Sequence, residues 1–223
     1  MFLKKMRIKK IINESIFGIC FYNLLYAKSL KIFDKTIFEM KNVRLKRIKI
    51  DIHGKGNKVI IDDNTFLNNC SIKIYGNNNI IHIGKKCNLN GCVFWLEDND
   101  NRISIDENVT VNGSTSFACI EGSSIVVGQD CMFSSNISLR TGDSHTLTDM
   151  EGNRTNFSED ILIGEHVWIC ANVFINKGVK ISSNTVVGSC AVVTKKFNEE
   201  NIIIAGNPAN IIKQNTNWMR ERI

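Results

Sequence analysis

The chain has 223 residues, of which 43% are hydrophobic and 22% charged, and this size and composition suit one well-buried domain. A single proline against 15 glycines excludes a proline-rich linker. The longest apolar run, residues 16–27, is interrupted by Asn23 and is too short to span a bilayer as a helix. The composition therefore predicts one domain that is soluble or bound at a membrane surface.

Positive charge is concentrated at the N-terminal end. Residues 1–60 contain 15 Lys/Arg and four Asp/Glu, whereas the whole chain has a net charge of only +6. No basic stripe interleaved with aromatic residues is found, so a nucleic-acid partner is not expected. The charge of this basic N-terminal arm, residues 1–60, indicates either a peripheral membrane contact or a solvated face. Residues 25–27 make a poor signal-peptide cleavage site, which predicts a cytoplasmic protein, with association at the inner face of the membrane left open.

Residues 1–45 are predicted to form a helical N-terminal extension. Apolar residues recur at helical spacing between residues 8 and 37. This segment lies outside the repeats that follow it, and it would suit the capping of an open end of a repeat structure.

An internal repeat begins after this extension, with a period of 22 residues. Its blocks begin at Ile61, Ile83, Ile105 and Val127, and each has a further apolar residue six positions later. About four extra residues recur near 77–80, 99–102 and 122–125. Three six-residue faces and one short excursion therefore account for each period.

A polar stretch, residues 141–160, interrupts the repeat at the place where earlier periods carry their excursions. A long polar loop adds little core and costs conformational entropy, so its presence favours a functional role. The loop contains His145, one of only four histidines in the chain.

Beyond the loop the repeat becomes strictly six residues long. Six consecutive blocks begin with Ile or Val, and their fifth positions are mostly aliphatic or small. The blocks start at Ile163, Ile169, Ile175, Ile181, Val187 and Val193. Two apolar positions in six fit neither an amphipathic helix nor an alternating strand.

This pattern predicts a prism of short parallel strands, in which apolar side chains stack from coil to coil. The blocks resemble the hexapeptide repeat of the left-handed parallel β-helix acyltransferases over roughly residues 50–213. The expected fold is an all-β solenoid, a left-handed parallel β-helix over residues 46–213. The helical extension of residues 1–45 precedes it, loop 141–160 protrudes from it, and a tail of residues 214–223 follows, with a short C-terminal helix.

The eight cysteines lack CxxC pairs and are expected to be reduced thiols that serve as small apolar residues. Cys87 and Cys131 fall on inward fifth positions of their blocks. Cys70 and Cys92 are one 22-residue period apart and are predicted to stack on each other.

The resemblance extends to the loop, where Asp-Ser-His145 precedes an Ile-Gly-x-x-Val-Trp block. In the family a loop histidine is the general base, which implies this role for His145. Imidazole titrates close enough to pH 7 to accept the proton of a hydroxyl that attacks a thioester. His53, His82 and His166 are predicted to be solvated. The converging histidines of a zinc hydratase with this fold are not expected, so no metal site is predicted.

The same resemblance implies an acceptor site in the loop, formed by Asp143, Ser144, Arg154 and Asn156. Arg154 would either anchor the loop or meet an acidic sugar. Asp143 or Asp149 would either orient the His145 ring or cap a turn.

Trp168 stands at an outward sixth position of its block. An exposed tryptophan beside the loop suits contact with the acceptor or the donor and a catalytic role in steadying the oxyanion. The alternative is that Trp168 packs under the loop.

The donor end resembles the closing motifs of the family over residues 187–196 and 204–213, which implies acetyl-CoA as co-substrate. Carried over by position, the donor-binding residues are Trp168, Ala171, Ser189, Thr194, Lys195 and Lys213. Two residues depart from the family pattern: Cys170 would narrow the pantetheine channel or be neutral, and Asn210 removes a phosphate-binding charge. Whether Pro208 follows a cis bond is left open.

Together these resemblances imply a homotrimeric O-acetyltransferase whose active sites lie between adjacent prisms. The expected acceptor is a hydroxyl of a bacterial cell-surface sugar in capsule, O-antigen or sialic acid. Serine or xenobiotic acetyltransferases of the same fold are the alternative enzymes, although serine acetyltransferases usually carry a larger helical N-terminal domain. A non-catalytic scaffold subunit is the alternative from another class.

Overall fold

The computed structural model describes residues 36–223 and the backbone of residues 29–32. These residues form three long sheets, and successive strands of the chain enter the sheets in rotation. This rotation is the signature of a parallel β-helix, because each coil contributes one strand to each face of a prism. The predicted fold class of an all-β solenoid is confirmed.

Sheet 1 has eight parallel strands. In spatial order they are β1 (Ser29–Ile32), β4 (Lys49–His53), β7 (Ser71–Tyr75), β10 (Cys92–Glu97), β13 (Thr115–Cys119), β16 (Ile137–Arg140), β19 (Phe174–Ile175) and β22 (Val192–Val193).

Sheet 2 has seven parallel strands. They are β2 (Ile37–Met40), β5 (Lys58–Ile61), β8 (Ile80–Ile83), β11 (Arg102–Ile105), β14 (Ser124–Val127), β17 (Ile161–Ile163) and β20 (Lys180–Ile181).

Sheet 3 has nine strands, eight of them parallel. The parallel strands are β3 (Arg44–Lys46), β6 (Phe66–Asn68), β9 (Asn88–Asn90), β12 (Thr110–Val111), β15 (Met132–Phe133), β18 (Trp168–Ile169), β21 (Val186–Val187) and β23 (Ile203–Gly206). The last strand, β24 (Ala209–Lys213), pairs antiparallel with β23. We name the edges of the prism corner 1–2, corner 2–3 and corner 3–1 after the sheets that meet there.

The apolar positions of the repeat point into the prism and stack along it. Phe94, Phe117 and Phe133 are fully buried, and the rings of Phe94 and Phe117 stack with their centroids 5.4 Å apart. The core is therefore a continuous column in which each coil covers the apolar face of its neighbour.

The cysteines behave as the repeat predicts. Cys70 and Cys92 are both buried and lie on adjacent coils, where the register of β7 and β10 places them opposite each other, which confirms their stacking. Burial raises the pKa of Cys87 and Cys131 to about 12, so these thiols stay protonated at neutral pH. The seven cysteines of the described residues are all free thiols.

Asparagines line up at corner 1–2, where the periods carry their extra residues. Asn57, Asn79 and Asn101 are fully buried, one coil apart. The side-chain oxygen of Asn57 accepts the Asn79 N–H at 2.9 Å, and that of Asn79 accepts the Asn101 N–H at 3.0 Å. The Asn79 amide also donates to the carbonyl of Asp98 at 2.9 Å. This ladder satisfies backbone groups of the excursion that the strands leave unpaired.

We expect Asn79→Ala to destabilise the protein by about 1–3 kcal/mol for each of the two backbone groups that it leaves without a partner, the Asn101 N–H and the Asp98 carbonyl. Urea unfolding measures the difference. Asn99→Ala is the matched control, because Asn99 makes its hydrogen bonds at the same corner but is exposed. An equal loss of stability in both variants would contradict a special role for the buried ladder.

The helical predictions, unlike the repeat, are wrong wherever the structure describes the chain. Residues 29–32, 37–40 and 44–46 are strands, so the predicted helical extension is wrong for this part of residues 1–45. Residues 1–28 and 33–35, on which the rest of that prediction falls, lie outside the described residues. The short C-terminal helix is also wrong, because residues 209–213 form β24 and residues 214–223 form no regular element. In the described part of the chain, no helix has the length and hydropathy needed to cross a bilayer.

Candidate functional site

Loop 141–160 leaves the prism at corner 1–2, between β16 and β17. Its tip is a short hairpin in which Thr148 and Arg154 form an antiparallel bridge. The Asp149 carboxylate accepts the backbone N–H groups of Glu151 and Asn153 at 2.9 and 2.8 Å. These bonds, led by that from the Asn153 side chain, lower the pKa of Asp149. Asp149 therefore caps the hairpin turn, the second of its two predicted roles.

Asn156 holds the base of the loop around His145. Its side chain is buried, with 6% exposed, and its amide donates to the His145 carbonyl at 2.7 Å. The same amide donates to Asp143 Oδ2 at 2.9 Å, and the side-chain oxygen accepts the Leu147 N–H at 2.9 Å. Asn156 thus fixes the chain on both sides of His145.

Asp143 and Ser144 tie the start of the loop to the prism. Lys177 Nζ, at the same corner one coil further on, donates to Asp143 Oδ2 at 2.7 Å. This bond and that from Asn156 lower the pKa of Asp143, so the carboxylate is ionised at neutral pH. Arg140 donates to Ser144 Oγ at 3.0 Å. A contact of Asp143 or Ser144 with an acceptor stays a prediction.

Arg154 anchors the returning half of the loop. It donates to Glu121 Oε1 at 2.6 Å and to the Asn156 carbonyl at 3.2 Å. Glu121 Oε2 accepts the Ser158 hydroxyl at 2.8 Å. The hydrogen bond from Ser158, followed by that from Arg154, lowers the pKa of Glu121. Of the two roles predicted for Arg154 the structure shows the anchor, and its contact with an acidic sugar stays a prediction.

We expect Glu121→Ala to accelerate tryptic cleavage after Arg154 several-fold at neutral pH, because the variant releases both Arg154 and Ser158 and the loop opens more often. Mass spectrometry of timed digests measures the rate. Glu151→Ala removes the same charge from the tip of the loop and is expected to leave the rate near that of the wild type. Equal rates for Glu121→Ala and wild type would show that this anchor does not hold the loop.

The His145 ring is exposed at the base of this well-anchored loop. Within residues 36–223 no group hydrogen-bonds to the imidazole, since Asp143 binds Lys177 and Asn156 instead. The structure therefore fixes the His145 backbone and leaves both ring nitrogens open to a ligand or to a second copy of the chain.

The other histidines form aspartate pairs. His53 and His82 are part-exposed and lie 3.1 and 3.0 Å from Asp51 and Asp62. The prediction that His166 is solvated is wrong, because its ring is covered by Trp218 of the C-terminal segment. No cluster of three His, Cys, Asp or Glu side chains suited to a metal ion occurs in the described part of the chain.

Trp168 begins β18 on sheet 3 and is half-buried. It does not pack under the loop, as one alternative held; its ring packs against Trp218, with the centroids 6.0 Å apart. Its indole nitrogen is buried and has no hydrogen-bond partner among residues 36–223. Because β18 leads into corner 3–1 while the loop leaves at corner 1–2, one chain does not bring Trp168 and His145 together.

The predicted donor residues are divided between two corners. Ala171 and Ser189 occupy successive turns of corner 3–1, next to Trp168. Thr194 and Lys195 follow β22 at corner 1–2, and Lys195 Nζ donates to Asn210 Oδ1 at 2.8 Å. Asn210, which replaces a charge in the family pattern, therefore binds one of the predicted donor lysines.

The donor end contains three further residues that the sequence analysis singled out, Lys213, Cys170 and Pro208. Lys213 ends β24 and is exposed. Burial raises the pKa of Cys170 beside the Ala171 turn. The Asn207–Pro208 bond between β23 and β24 is cis.

Sequence reasoning missed three residues of the site: Glu121, Lys177 and Trp218. Glu121 and Lys177 lie 33 and 34 residues from the loop residues that they bind. The only sequence signal for them is the repeat register, which places both at corner 1–2 with the loop. Trp218 lies beyond the repeat and had no such signal.

Both the sequence and the fold match known proteins. The sequence model described as bacterial transferase hexapeptide (six repeats) matches residues 160–195. The crystal structure of the polysialic acid O-acetyltransferase OatWY superposes with a TM-score of 0.67 and 33% identity, over 85% of this chain and 93% of that one. The chain belongs to the hexapeptide-repeat acetyltransferase family.

Two further members of the hexapeptide-repeat acetyltransferase family are similar to it. The structure of the polysialic-acid-specific acetyltransferase NeuO gives a TM-score of 0.81 at 28% identity, over 88% of this chain and 83% of that one. The polysialic acid O-acetyltransferase of Escherichia coli O1:K1 / APEC is 36% identical over 98 residues, 44% of this chain and 32% of that protein. This chain spans less than half the length of the curated relatives that it matches first.

The matched hexapeptide repeats begin at residue 160, the last residue of the loop. They include Trp168, Ala171, Ser189, Thr194 and Lys195, whereas His145 lies outside them. In this member of the hexapeptide-repeat acetyltransferase family, the predicted donor side is thus built on the regular coils and the predicted base on the insertion.

Proposed function

We propose that the protein is an acetyl-CoA-dependent O-acetyltransferase that modifies a hydroxyl of a bacterial cell-surface sugar. The observation that carries the proposal is the likeness over 85–88% of the chain to two structures named as acetyltransferases of polysialic acid. The anchored loop, with an exposed histidine at its base, supplies the chemistry that such a transfer needs.

In the proposed reaction His145 is the general base. Its imidazole takes the proton of the sugar hydroxyl while the hydroxyl oxygen attacks the thioester carbonyl carbon. The carbon–sulfur bond then breaks, and the imidazolium returns the proton to the departing CoA thiolate. The products are the sugar O-acetyl ester and CoA, and no covalent intermediate with the protein is required. Asn156 contributes by holding the His145 backbone, because alignment of the reacting groups supplies much of the rate.

Acetyl-CoA is the proposed donor, with its binding residues on the regular coils. Trp168, Ala171 and Ser189 line one edge of the prism, and a linear pantetheine arm suits such an edge. Trp168 is the proposed residue that steadies the negative charge on the thioester carbonyl, since its half-buried ring stands beside the same edge and its indole N–H has no acceptor among residues 36–223.

A homotrimer completes the proposed site. His145 stands at corner 1–2 and Trp168 beside corner 3–1, at the two edges of sheet 1. A three-fold arrangement in which sheet 1 faces the axis brings corner 1–2 of one prism beside corner 3–1 of the next. The outward residues of sheet 1 favour close approach, because several are small or apolar: Ser116, Ala118, Ser138, Phe174 and Val192.

We expect light scattering to give a mass about three times the 25.2 kDa of one chain. Phe174→Arg is expected to lower this mass, because it places a charge on the proposed contact face where Phe174 is half exposed. Leu162→Arg, on the outward side of sheet 2, is the matched control and is expected to leave the mass unchanged. A mass near that of one chain for the unmodified protein would overturn the trimer.

The proposed acceptor is capsule, O-antigen or sialic acid, and the names of the similar proteins favour a sialic acid polymer. The basic N-terminal arm suits a peripheral membrane contact at the inner face of the cytoplasmic membrane. Residues 1–28 of that arm lie outside the described residues.

The test is CoA release from acetyl-CoA, followed by a thiol reagent, with a panel of acceptors. The panel contains polysialic acid, sialic acid monomer, neutral capsule fragments, serine and an aminoglycoside, and mass spectrometry identifies the acetylated product. Transfer to a sialic acid polymer is expected. Transfer only to serine or the aminoglycoside would replace the proposal with one of the same-fold alternatives, and no transfer together with no CoA binding would favour the scaffold.

A further inference from the structure

The C-terminal segment folds back over sheet 3 and is held there by an aromatic pair. Trp218 is 6% exposed, and its ring stacks on His166 with the centroids 4.2 Å apart and the planes 8° from parallel. The Trp218 indole N–H donates to the His166 carbonyl at 2.8 Å, and His166 Nε2 lies 3.0 Å from the Trp218 carbonyl. The two residues are thus joined by the ring contact and by reciprocal polar contacts.

A charged group secures the same segment to three coils. His166 Nδ1 lies 2.6 Å from Asp130 Oδ2, and Arg220 Nε donates to Asp130 Oδ1 at 3.0 Å. Arg220 also donates to Thr110 Oγ1 at 2.8 Å and to carbonyls of Asn108, Asp130 and Cys131 at 3.1–3.2 Å. Burial acts to raise the pKa of Asp130, but the bonds from His166 and Arg220 outweigh it and the pKa is lowered. We name Asp130, His166, Trp218 and Arg220 the C-terminal clasp.

The clasp covers Trp168. The ring of Trp218 meets that of Trp168 at an angle of 47°, while Met132 and Val186 occupy the strand positions on either side. The Trp218 ring on one side and the neighbouring coils on two others restrict the rotamers that Trp168 can adopt.

The indole N–H of Trp168 is nevertheless unused. It is buried, and no acceptor for it exists among residues 36–223. A buried donor without an acceptor costs about 1–3 kcal/mol, so a native structure rarely keeps one without a reason. In this conformation the half-buried ring of Trp168, and not the covered N–H, is the part that another molecule can reach.

We propose that Trp218 is a positioning residue of the acyl-donor site. Through the clasp it fixes the ring of Trp168 beside the Ala171 turn of corner 3–1, along which the acyl donor is proposed to lie. This inference rests on the proposed function, and it adds the C-terminal segment, which lies outside the hexapeptide repeats, to the machinery that binds the donor.

The test compares Trp218→Ala with Trp218→Phe and wild type. CoA affinity is measured by calorimetry, and KM for acetyl-CoA and kcat by thiol release. Trp218→Ala is expected to weaken CoA binding and raise KM by about tenfold, with kcat also reduced. Trp218→Phe keeps the stack on His166 and is expected to recover most of the affinity. Met219→Ala, in the same segment but 57% exposed, is the matched control and is expected to behave like wild type.

Thermal melting checks that each variant is folded, and Arg220→Ala, which loosens the clasp but keeps both indoles, replaces Trp218→Ala if that variant does not fold. Wild-type affinity and KM in the folded clasp variants would overturn the positioning role while leaving the proposed function intact. Equal losses in Trp218→Phe and Trp218→Ala would also overturn it, because ring packing would then not be the cause. A wild-type protein that does not bind CoA would overturn the proposed function itself.

Discussion

His145→Ala is expected to lower kcat for acetyl transfer by about 10²–10⁴-fold, the contribution of a positioned general base. The His145 ring is exposed and outside the core, so the variant removes the base without opening a cavity. KM for acetyl-CoA is expected to change little, because His145 lies on the loop and not on the coils that carry the proposed donor residues. Steady-state kinetics by thiol release measure both constants.

His82→Ala is the matched control for this variant. His82 is also a part-exposed histidine, but it pairs with Asp62 on sheet 2, on a coil remote from the loop. It is expected to retain the kcat of the wild type. A His145→Ala variant with unchanged turnover would refute the mechanism, whatever the acceptor.

Asn156→Ala is expected to reduce kcat by about 10²-fold, since displacement of a catalytic group by about 1 Å has an effect of this size. The substitution removes the bonds to the carbonyl of His145, to Asp143 and to the N–H of Leu147 at once. The loop base then loses its fixed geometry while the prism, whose core lies elsewhere, keeps its melting temperature. Kinetics and thermal melting of the same preparation measure the two effects.

Asn153→Ala tests whether position within the loop matters. Asn153 bonds to Asp149 at the tip, away from His145, and its loss is expected to change kcat much less. If both asparagine variants lose activity equally, general loosening of the loop, and not the fixed His145 backbone, would be the cause.

The fold was predictable because its information is local and repeated. Each coil places its own apolar residues inward, and each meets the same kind of residue on the next coil, as Ile61, Ile83, Ile105 and Val127 do. Register errors would turn these residues outward at every coil, so the period in the sequence determines the pairing. The four-residue excursions also recur once per coil, and the buried asparagine ladder accepts their backbone N–H groups.

The helical predictions failed where this local signal weakened. The helical spacing of residues 8–37 ran into this region, but residues 29–32 pair with β4 and residues 37–40 pair with β5. Tertiary pairing overrides a short local preference of this kind. Residues 209–213 likewise form a strand because β23 offers them a partner.

The candidate site was likewise predictable only in part. The resemblance pointed to Asp143, Arg154 and Trp168, but not to the residues that hold them in place. Lys177 reaches Asp143, Glu121 reaches Arg154, and Trp218 covers Trp168 across intervals of 33 to 50 residues without a motif. Such contacts depend on where long side chains end after the coils are stacked.

The prism, the stacking of its cysteines and the corner from which the loop leaves all follow from the amino-acid sequence. These depend on a short pattern that each coil repeats against its neighbour. The folded chain was needed to show that Asp149 caps a turn, that His166 is covered, and that His145 and Trp168 lie at opposite edges of sheet 1. These features arise where distant segments meet, and the contacts that stabilise them leave no periodic pattern in the chain.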